Sequence, residues 1–481
     1  MIKYILSLIF FILILSNNIM AKNVKYKLII EENSQTINNK TVTNYTVNGT
    51  SVAPTIIANM GDNLIIEVVN KTNIKTTIHS HGVLLPNKYD GVGDINSIYI
   101  EPDSTFTYEY EVKQTGTYWY HAHGIEEAQG IHGAIVFNDP NAEEIKDDYP
   151  LIFTGKINDD IHKVYANLTH KAYNTHADMS MDNMADMNMP ATNMQDKQST
   201  HTQHLAENKA VKSKDQKGKM LHYSDVSYDE HYINNNTSIY NIDNISSKKV
   251  KLRLINAYSD GYLNFVYSGG DIEVIATDGI NIKPIKVKNL TVAMGETYDV
   301  LVNASTDNAY ELVAFFLGTK DYSKVVIGNK PLIPLKSYNY AKYPTSSPYK
   351  KIISLKPAFI NLHENIPAKR TIKLQLTGNH SKYKWMFTSN KKAINSLDIK
   401  AGDKVIIQIA NNTMMPHPIH LHGAFFTVKK YNNMIKHTVN IKRMETLTLE
   451  FIADEEGKWL LHCHNLFHML SGMMITINIQ K

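Results

Sequence analysis

The chain has 481 residues, a formal net charge of +4, 43% hydrophobic residues and a single cysteine. That length suits two to four ordinary domains with proper cores, and the mild charge, without a dominant Lys/Arg block, removes nucleic acid from the implied partners. One cysteine cannot close an internal disulfide, so Cys463 is either a buried bystander or a thiol with chemistry to do.

At the start, Lys3, the apolar run Ile5 to Leu15, polar Ser16-Asn17-Asn18 and small Ala21 have the layout of a secretory signal peptide, residues 1–21. The run is about half the roughly 20 apolar residues a membrane span needs, so a retained anchor is the weaker alternative. Ile19 is a poor residue three positions before a cut after Ala21. No twin-arginine pair is present, which implies export of the unfolded chain with metal acquired afterwards, and the signal segment makes the periplasm the expected destination. Beyond this segment the periodicity is that of strands. Short alternating runs bounded by Gly, Asn, Asp and Pro occur at Asn63–Val69, Thr105–Val112, Lys249–Ile255, Glu296–Val302, Lys404–Ile409 and Thr446–Phe451. Long helical patterns are scarce, so the expected fold is all-β, built of sandwiches. From His170 to Lys219 the chain turns polar and rich in Met, His, Asp and Asn, which reads as an inserted, largely disordered loop.

An internal repeat sharpens this expectation. Gly402-Asp403, His420-Leu421-His422-Gly423 and Gly457 to His464 stand 341 positions after Gly61-Asp62, His79-Ser80-His81-Gly82 and Gly116 to His123, with no net gap. The two ends are therefore copies of one sandwich. The middle carries a fainter echo: Lys249–Asn256 is patterned like Leu64–Asn70, and Glu296–Asn303 like Thr105–Val112. It has no His-x-His, so it reads as a metal-free spacer of the same fold. The implied layout is three domains over residues 22–148, 149–345 (with the insert at 170–219) and 346–481.

Four His-x-His pairs carry the chemistry: His79/His81, His121/His123, His420/His422 and His462/His464. Side chains at i and i+2 of a strand share a face, so each pair presents two imidazoles to one place, and imidazole is a good copper ligand. Two pairs in each terminal copy put a shared cluster at their interface. Eight imidazoles suit three coppers, bound by three, three and two, a nuclearity fit for the four electrons that turn O2 into water. Around Cys463 stand His417, His468 and Met473, and one thiolate, two imidazoles and a distant thioether make a blue-copper electron-transfer site. On an extended backbone the Cys463 side chain opposes those of His462 and His464, which wires the two centres through a few bonds. The N-terminal copy offers Thr76, Ala122, Glu127 and His132 at the positions of His417, Cys463, His468 and Met473, so only one blue site is expected, and four coppers in all.

These motifs, His79-Ser-His-Gly, Trp119-Tyr-His-Ala-His, His417-Pro-Ile-His-Leu-His-Gly and His462-Cys-His-Asn-Leu-Phe-His with Met473, resemble those of the multicopper oxidases over essentially the whole mature chain. The resemblance implies three tandem cupredoxin-like Greek-key β-sandwich domains. It implies a type 1 copper on His417, Cys463, His468 and Met473, and a type 2 copper on His79 and His420. A type 3 pair then falls on His81, His121, His123, His422, His462 and His464. Asp90 matches a family aspartate that helps deliver protons, although Asp90-Gly91 is also a plain turn signal. Where many relatives carry a second carboxylate after the last type 1 histidine this chain has Met469, and Glu126 or Glu127 is the substitute. Leu85-Pro-Asn-Lys-Tyr-Asp-Gly, Lys251-Leu-Arg-Leu-Ile-Asn-Ala, Ala276-Thr-Asp-Gly and Gly295-Glu-Thr-Tyr-Asp-Val resemble bacterial copper-resistance oxidases in particular.

In the insert, Met179, Met181, Met184, Met187, Met189 and Met194, with His176, His201 and His204, lack the apolar neighbours of a core stripe. Thioethers are soft ligands that prefer Cu(I), so capture of cuprous ions is the functional reading and a flexible linker the bland one. His132, His162, His222, His231, His363, His380 and His437 are read as surface or packing residues, and Met469 and Met474 as core. The expected activity is a periplasmic oxidase of Cu(I) with O2 as acceptor, acting as a monomer with no membrane span once the signal is removed. A laccase-like oxidase of phenols or other organic reductants is the alternative. A copper-sequestering protein without turnover is the alternative of another class.

Overall fold

The computed structural model describes residues 21–37, 40–170, 223–338, 347–360 and 367–481. Most of the segment read as a signal peptide and all of the Met-rich stretch, Met179 to Met194 included, lie outside the described residues. Each alternating run becomes a strand with one buried face. Asn63–Asn70 buries Leu64, Ile66 and Val68, and Lys404–Asn411 buries Val405, Ile407 and Ile409.

The strands pair into three cupredoxin-like sandwiches, each of two sheets. In the first, Lys40–Val47, Asn23–Ile37, Asn63–Asn70 and Thr105–Glu111 face Ala53–Asn59, His132–Asn138, Gly116–His121 and His79–His81. In the last, the inner sheet runs Ser396–Lys400, Met474–Gln480, Gly457–Cys463, His417–Leu421, Thr438–Ile441. One module recurs in all three: a first strand parallel to a second, which pairs antiparallel with a third. It is built by Asn23–Ile37, Asn63–Asn70 and Thr105–Glu111; by Asp148–Lys156, Lys249–Asn256 and Thr297–Asn303; and by Arg370–Asn379, Lys404–Asn411 and Thr446–Ile452. The faint middle echo is thus a structural repeat.

An asparagine closes the second strand of each module. Asn70 donates to Ile74 O (2.7 Å) and Ile100 O (2.8 Å), Asn256 to Gly261 O and Val292 O (both 3.0 Å), and Asn411 to Met415 O (2.7 Å) and Ile441 O (3.1 Å). These buried amides satisfy loop carbonyls that would otherwise be stranded, and in the end copies they fix the loops leading into His79 and His417.

The constant offset between the end copies breaks once. His121 pairs with His132, whereas His462 pairs with Met474, so Ile131, not His132, stands where Met473 does. The intervening turn is a short 3-10 helix, Ile125–Gln129, in the first copy and an α-helix, Leu466–Leu470, in the last, and the tighter winding takes one residue fewer. Among the described residues no helix is long and apolar enough to cross a membrane.

Candidate metal centres

Strand register gathers the paired histidines. In the first copy His79 lies opposite His121, and in the last His420 lies opposite His462 while Ile419 faces Cys463. The glycine that follows each first pair keeps its place for a packing reason. Gly82 (φ +79°) and Gly423 (φ +68°) both sit in the left-handed region, and a Cβ would overlap the His437 ring at the first and the Trp459 ring at the second.

All eight imidazoles converge in one buried pocket between the first and last sandwiches. His123, His422 and His462 form one triangle, with ring centroids 5.0 to 5.3 Å apart. His81, His121 and His464 form another at 5.7, 4.7 and 5.4 Å, and His79 and His420 face each other at 5.8 Å. Their outer nitrogens are tied. Nδ1 of His79 meets Asp90 O (2.6 Å), that of His121 meets Ala122 O (2.7 Å), and that of His420 meets His437 O (2.9 Å). Nδ1 of His462 meets Cys463 O (3.0 Å), and that of His422 meets Asp90 Oδ2 (2.9 Å). Each such ring is protonated outward and bares Nε2 inward. The inner nitrogens of His79, His121 and His420, Nδ1 of His81 and both nitrogens of His123 and His464 have no partner among the described residues. His422 Nε2 and His462 Nε2 oppose each other at 2.9 Å. Burial, reinforced by neighbouring imidazoles, holds His81, His123, His420 and His462 well below the usual histidine range; burial likewise lowers His422 to about 4 and His464 to about 3. So many bare lone pairs, neutral and out of reach of water, are costly unless cations fill the space between them. The residues fit a cluster of imidazole-loving metal ions, and copper is one.

The second centre is smaller. Cys463 Sγ lies 3.5 Å from His417 Nδ1 and 3.8 Å from His468 Nδ1, which are 3.1 Å apart, and all three residues are fully buried. His417 Nε2 is tied to Thr413 Oγ1 (2.7 Å) and His468 Nε2 to Asp225 Oδ2 (3.0 Å), so both rings turn Nδ1 inward. Burial pushes the Cys463 thiol up, and only a cation in the triangle would keep a thiolate there. Two nitrogens and a sulfur suit copper. Met473 is buried and its backbone bonds Cys463 N (3.0 Å) and His468 O (3.0 Å).

The carboxylates divide. Asp90 is buried; burial alone would raise its pKa, but His422 and His79 beside it hold it below the carboxylate range. Glu127 Oε2 lies 3.0 Å from His121 Nδ1, and burial lifts this carboxyl to about 7 against the pull of His464 and His79. Met469 is buried in the helix beside His468.

Among the residues read as surface or packing, His132, His231 and His437 are buried and His162 is half-buried. His222 and His363 lie outside the described residues, as do His176, His201 and His204. His437 does more than pack: it groups with His81 and His420, and its Nε2 has no partner among the described residues. Sequence reasoning also missed Asp225 on His468 and Asp278 behind His437, since neither stands in a metal motif.

Three sequence profiles described as multicopper oxidase match residues 29–142, 165–327 and 365–481. A copper resistance protein A homolog of Pseudomonas syringae pv. tomato is 24% identical over 95% of this chain and 92% of its own length. Laccase-2 of Botryotinia fuckeliana is 27% identical over 93% of this chain and 81% of its own length. The crystal structure of Fet3p, a multicopper oxidase that functions in iron import, superimposes with a TM-score of 0.73 at 16% identity, covering 95% of this chain and 90% of that one.

Proposed function

The chain belongs to the multicopper oxidase family, and from that premise we propose that it oxidises Cu(I) at the Cys463 centre and reduces O2 at the eight-imidazole cluster, in the periplasm, with copper tolerance as the outcome. Copper, when bound, supplies one-electron cycling at the first centre and four-electron reduction of O2 to water at the second. In this reading His417, Cys463, His468 and Met473 hold the type 1 ion, and His79 and His420 the type 2 ion. His81, His121, His123, His422, His462 and His464 hold the type 3 pair.

What the chain's own residues contribute follows from their contacts. Cys463 shares its backbone with His462 and His464, so the path between centres is covalent and only a few bonds long. Asp225 keeps the proton of His468 on Nε2 and orients the ring. Asp90 holds His422 through its carboxylate and His79 through its carbonyl, binding a ligand from each end copy, and in our reading it passes protons to the cluster. Glu127, on His121, takes the place of the carboxylate that Met469 lacks.

The observation that carries Cu(I) as reductant is where the chain borders the Met-rich stretch. On the upstream side, the helix Ile161–Thr169 ends at His170, and Tyr165 OH donates to Leu470 O (2.7 Å). On the downstream side, the Tyr223 ring meets Tyr262, whose OH donates to Pro416 O (3.1 Å), and Asp225 bonds His468. The described chain therefore stops at His170 and resumes at Tyr223 close to the electron-accepting centre, and Met179, Met181, Met184, Met187, Met189 and Met194 belong to the sequence between those two points. Oxygen uptake with Cu(I), Fe(II) and a phenol, compared with the variant lacking residues 176–204, tests the reading. Loss of Cu(I) turnover with phenol turnover intact is expected; unchanged Cu(I) turnover overturns it. The laccase-like reading shares the same copper ligands and differs only in the reductant. It prevails if phenol turnover exceeds that of Cu(I). Copper binding without oxygen uptake would leave only sequestration.

A further inference from the structure

The middle sandwich carries no His-x-His, yet it reaches the cluster. Asp278 lies in the turn between strands Ile272–Thr277 and Ile280–Val287, and its Oδ2 accepts the backbone N–H of His437 (3.2 Å) and of Thr438 (3.0 Å). Its Oδ1 accepts from Lys436 Nζ (3.2 Å), which is fully buried and also bonds Glu296 (2.8 Å) and Thr277 (2.7 Å). Three consecutive residues of the last sandwich, Lys436 to Thr438, are thus clamped by the middle one.

Thr438 Oγ1, also fully buried, lies 3.1 Å from His81 Nε2, 3.1 Å from His420 Nδ1 and 3.0 Å from His437 Nδ1. A hydroxyl has one proton to give and two lone pairs to accept with, which limits the arrangements. His420 Nδ1 gives its proton to His437 O (2.9 Å) and bares Nε2. Among the described residues His81 has a partner at Nε2 alone, so that nitrogen carries the proton, donates to Thr438 and leaves Nδ1 bare. His81 is therefore turned the opposite way from His79, His121, His420, His422 and His462, which are tied at Nδ1. The Thr438 proton then goes to His437 Nδ1, and the His437 ring fills the space that a Cβ on Gly82 would take, next to His81.

We propose that Thr438, clamped by Asp278 of the middle sandwich and backed by His437, is a positioning residue that sets which nitrogen His81 presents to the cluster and braces the His420 ring beside it. The middle domain is then part of the cluster's second layer and not a passive spacer. The inference rests on the assignment of copper to these imidazoles.

Thr438→Val keeps the shape and removes the hydroxyl; Thr438→Ser keeps the hydroxyl. The full chain carrying each is loaded with copper and measured by copper content per chain, by the type 2 electron paramagnetic resonance signal, and by the blue absorption of the Cys463 centre, which Thr438 does not touch. Thr438→Val is expected to keep the blue absorption, to lose copper from the cluster or shift the type 2 hyperfine splitting, and to be restored by Thr438→Ser. Four coppers and an unshifted type 2 signal in Thr438→Val overturn the proposal, as does a serine variant as deficient as the valine. Should Thr438→Val also lose the blue absorption through misfolding, Asp278→Ala, which leaves the His437 and Thr438 N–H groups without that acceptor, decides: a shifted type 2 signal supports the clamp and an unshifted one refutes it. An unmutated protein without a type 2 signal would instead sink the copper assignment itself, a distinguishable failure.

Discussion

Replacing Asp225 by Asn isolates one charge at the electron-accepting centre. The carboxylate accepts from His468 Nε2 (3.0 Å) and Tyr383 OH (2.7 Å) through the same oxygen, Oδ2, and the side chain is only 2% exposed. An asparagine oxygen can take over both hydrogen bonds, so the geometry survives and the negative charge is lost. That charge stands about 5 Å from His468 Nδ1, namely the 3.0 Å hydrogen bond plus about 2 Å of ring. An ion held at Nδ1 stands about 2 Å farther out, so at an effective dielectric of about 20 the interaction is about 2.4 kcal/mol, or about 100 mV for a one-electron couple, and burial leaves little solvent to weaken it. A negative neighbour favours the more positively charged, oxidised state, so its removal raises the reduction potential. A redox titration of the copper-loaded variant, followed through the blue absorption, should place its midpoint on the order of 100 mV above that of the parent. A shift under about 20 mV, or a downward one, would refute the assignment of the first centre to His468.

Cys463→Ser should lower the copper content by one ion per chain, abolish the blue absorption and stop oxygen uptake while the type 2 signal persists; retained dioxygen reduction would sink the wiring between the centres. Gly82→Ala places a Cβ on the His437 ring, whereas Gly61→Ala, at φ +93°, meets nothing within 4 Å. The second should cost about 1 kcal/mol of backbone strain and the first at least about 2 kcal/mol more, read as the difference in thermal unfolding of the metal-free proteins; equal losses would contradict the close contact. The metal-free protein should weaken as pH falls. His422 and His464 have folded pKa values of about 4 and 3, below the unfolded value, so unfolded chains bind protons that folded chains refuse. Below about pH 6.5 each such residue removes up to about 1.4 kcal/mol per pH unit, until its folded pKa is passed. A flat or rising melting temperature between pH 7 and pH 5 would falsify the neutral, inward-facing imidazoles.

The residue types and short spacings written in the chain determined much of this protein. Alternation at Asn63–Asn70 and Lys404–Asn411 specifies strands because a pleated backbone buries every second side chain. The i, i+2 histidines share a face for the same reason, and the repeat places two such pairs in each end sandwich. These are local rules, readable from neighbours a few positions apart. Other features were decided only when distant segments met. The Thr438 hydroxyl reaches His81 across 357 positions, Asp225 reaches His468 across 243, and Asp278 reaches Thr438 across 160. No periodicity encodes such contacts. The single-residue difference between the turns Ile125–Gln129 and Leu466–Leu470, which sets Ile131 in the place of Met473, likewise lay hidden under a constant offset. The chain lists which nitrogens and sulfurs are available, but which of them face inward is fixed by hydrogen-bond partners that only the packing of three sandwiches brings within 3 Å or so.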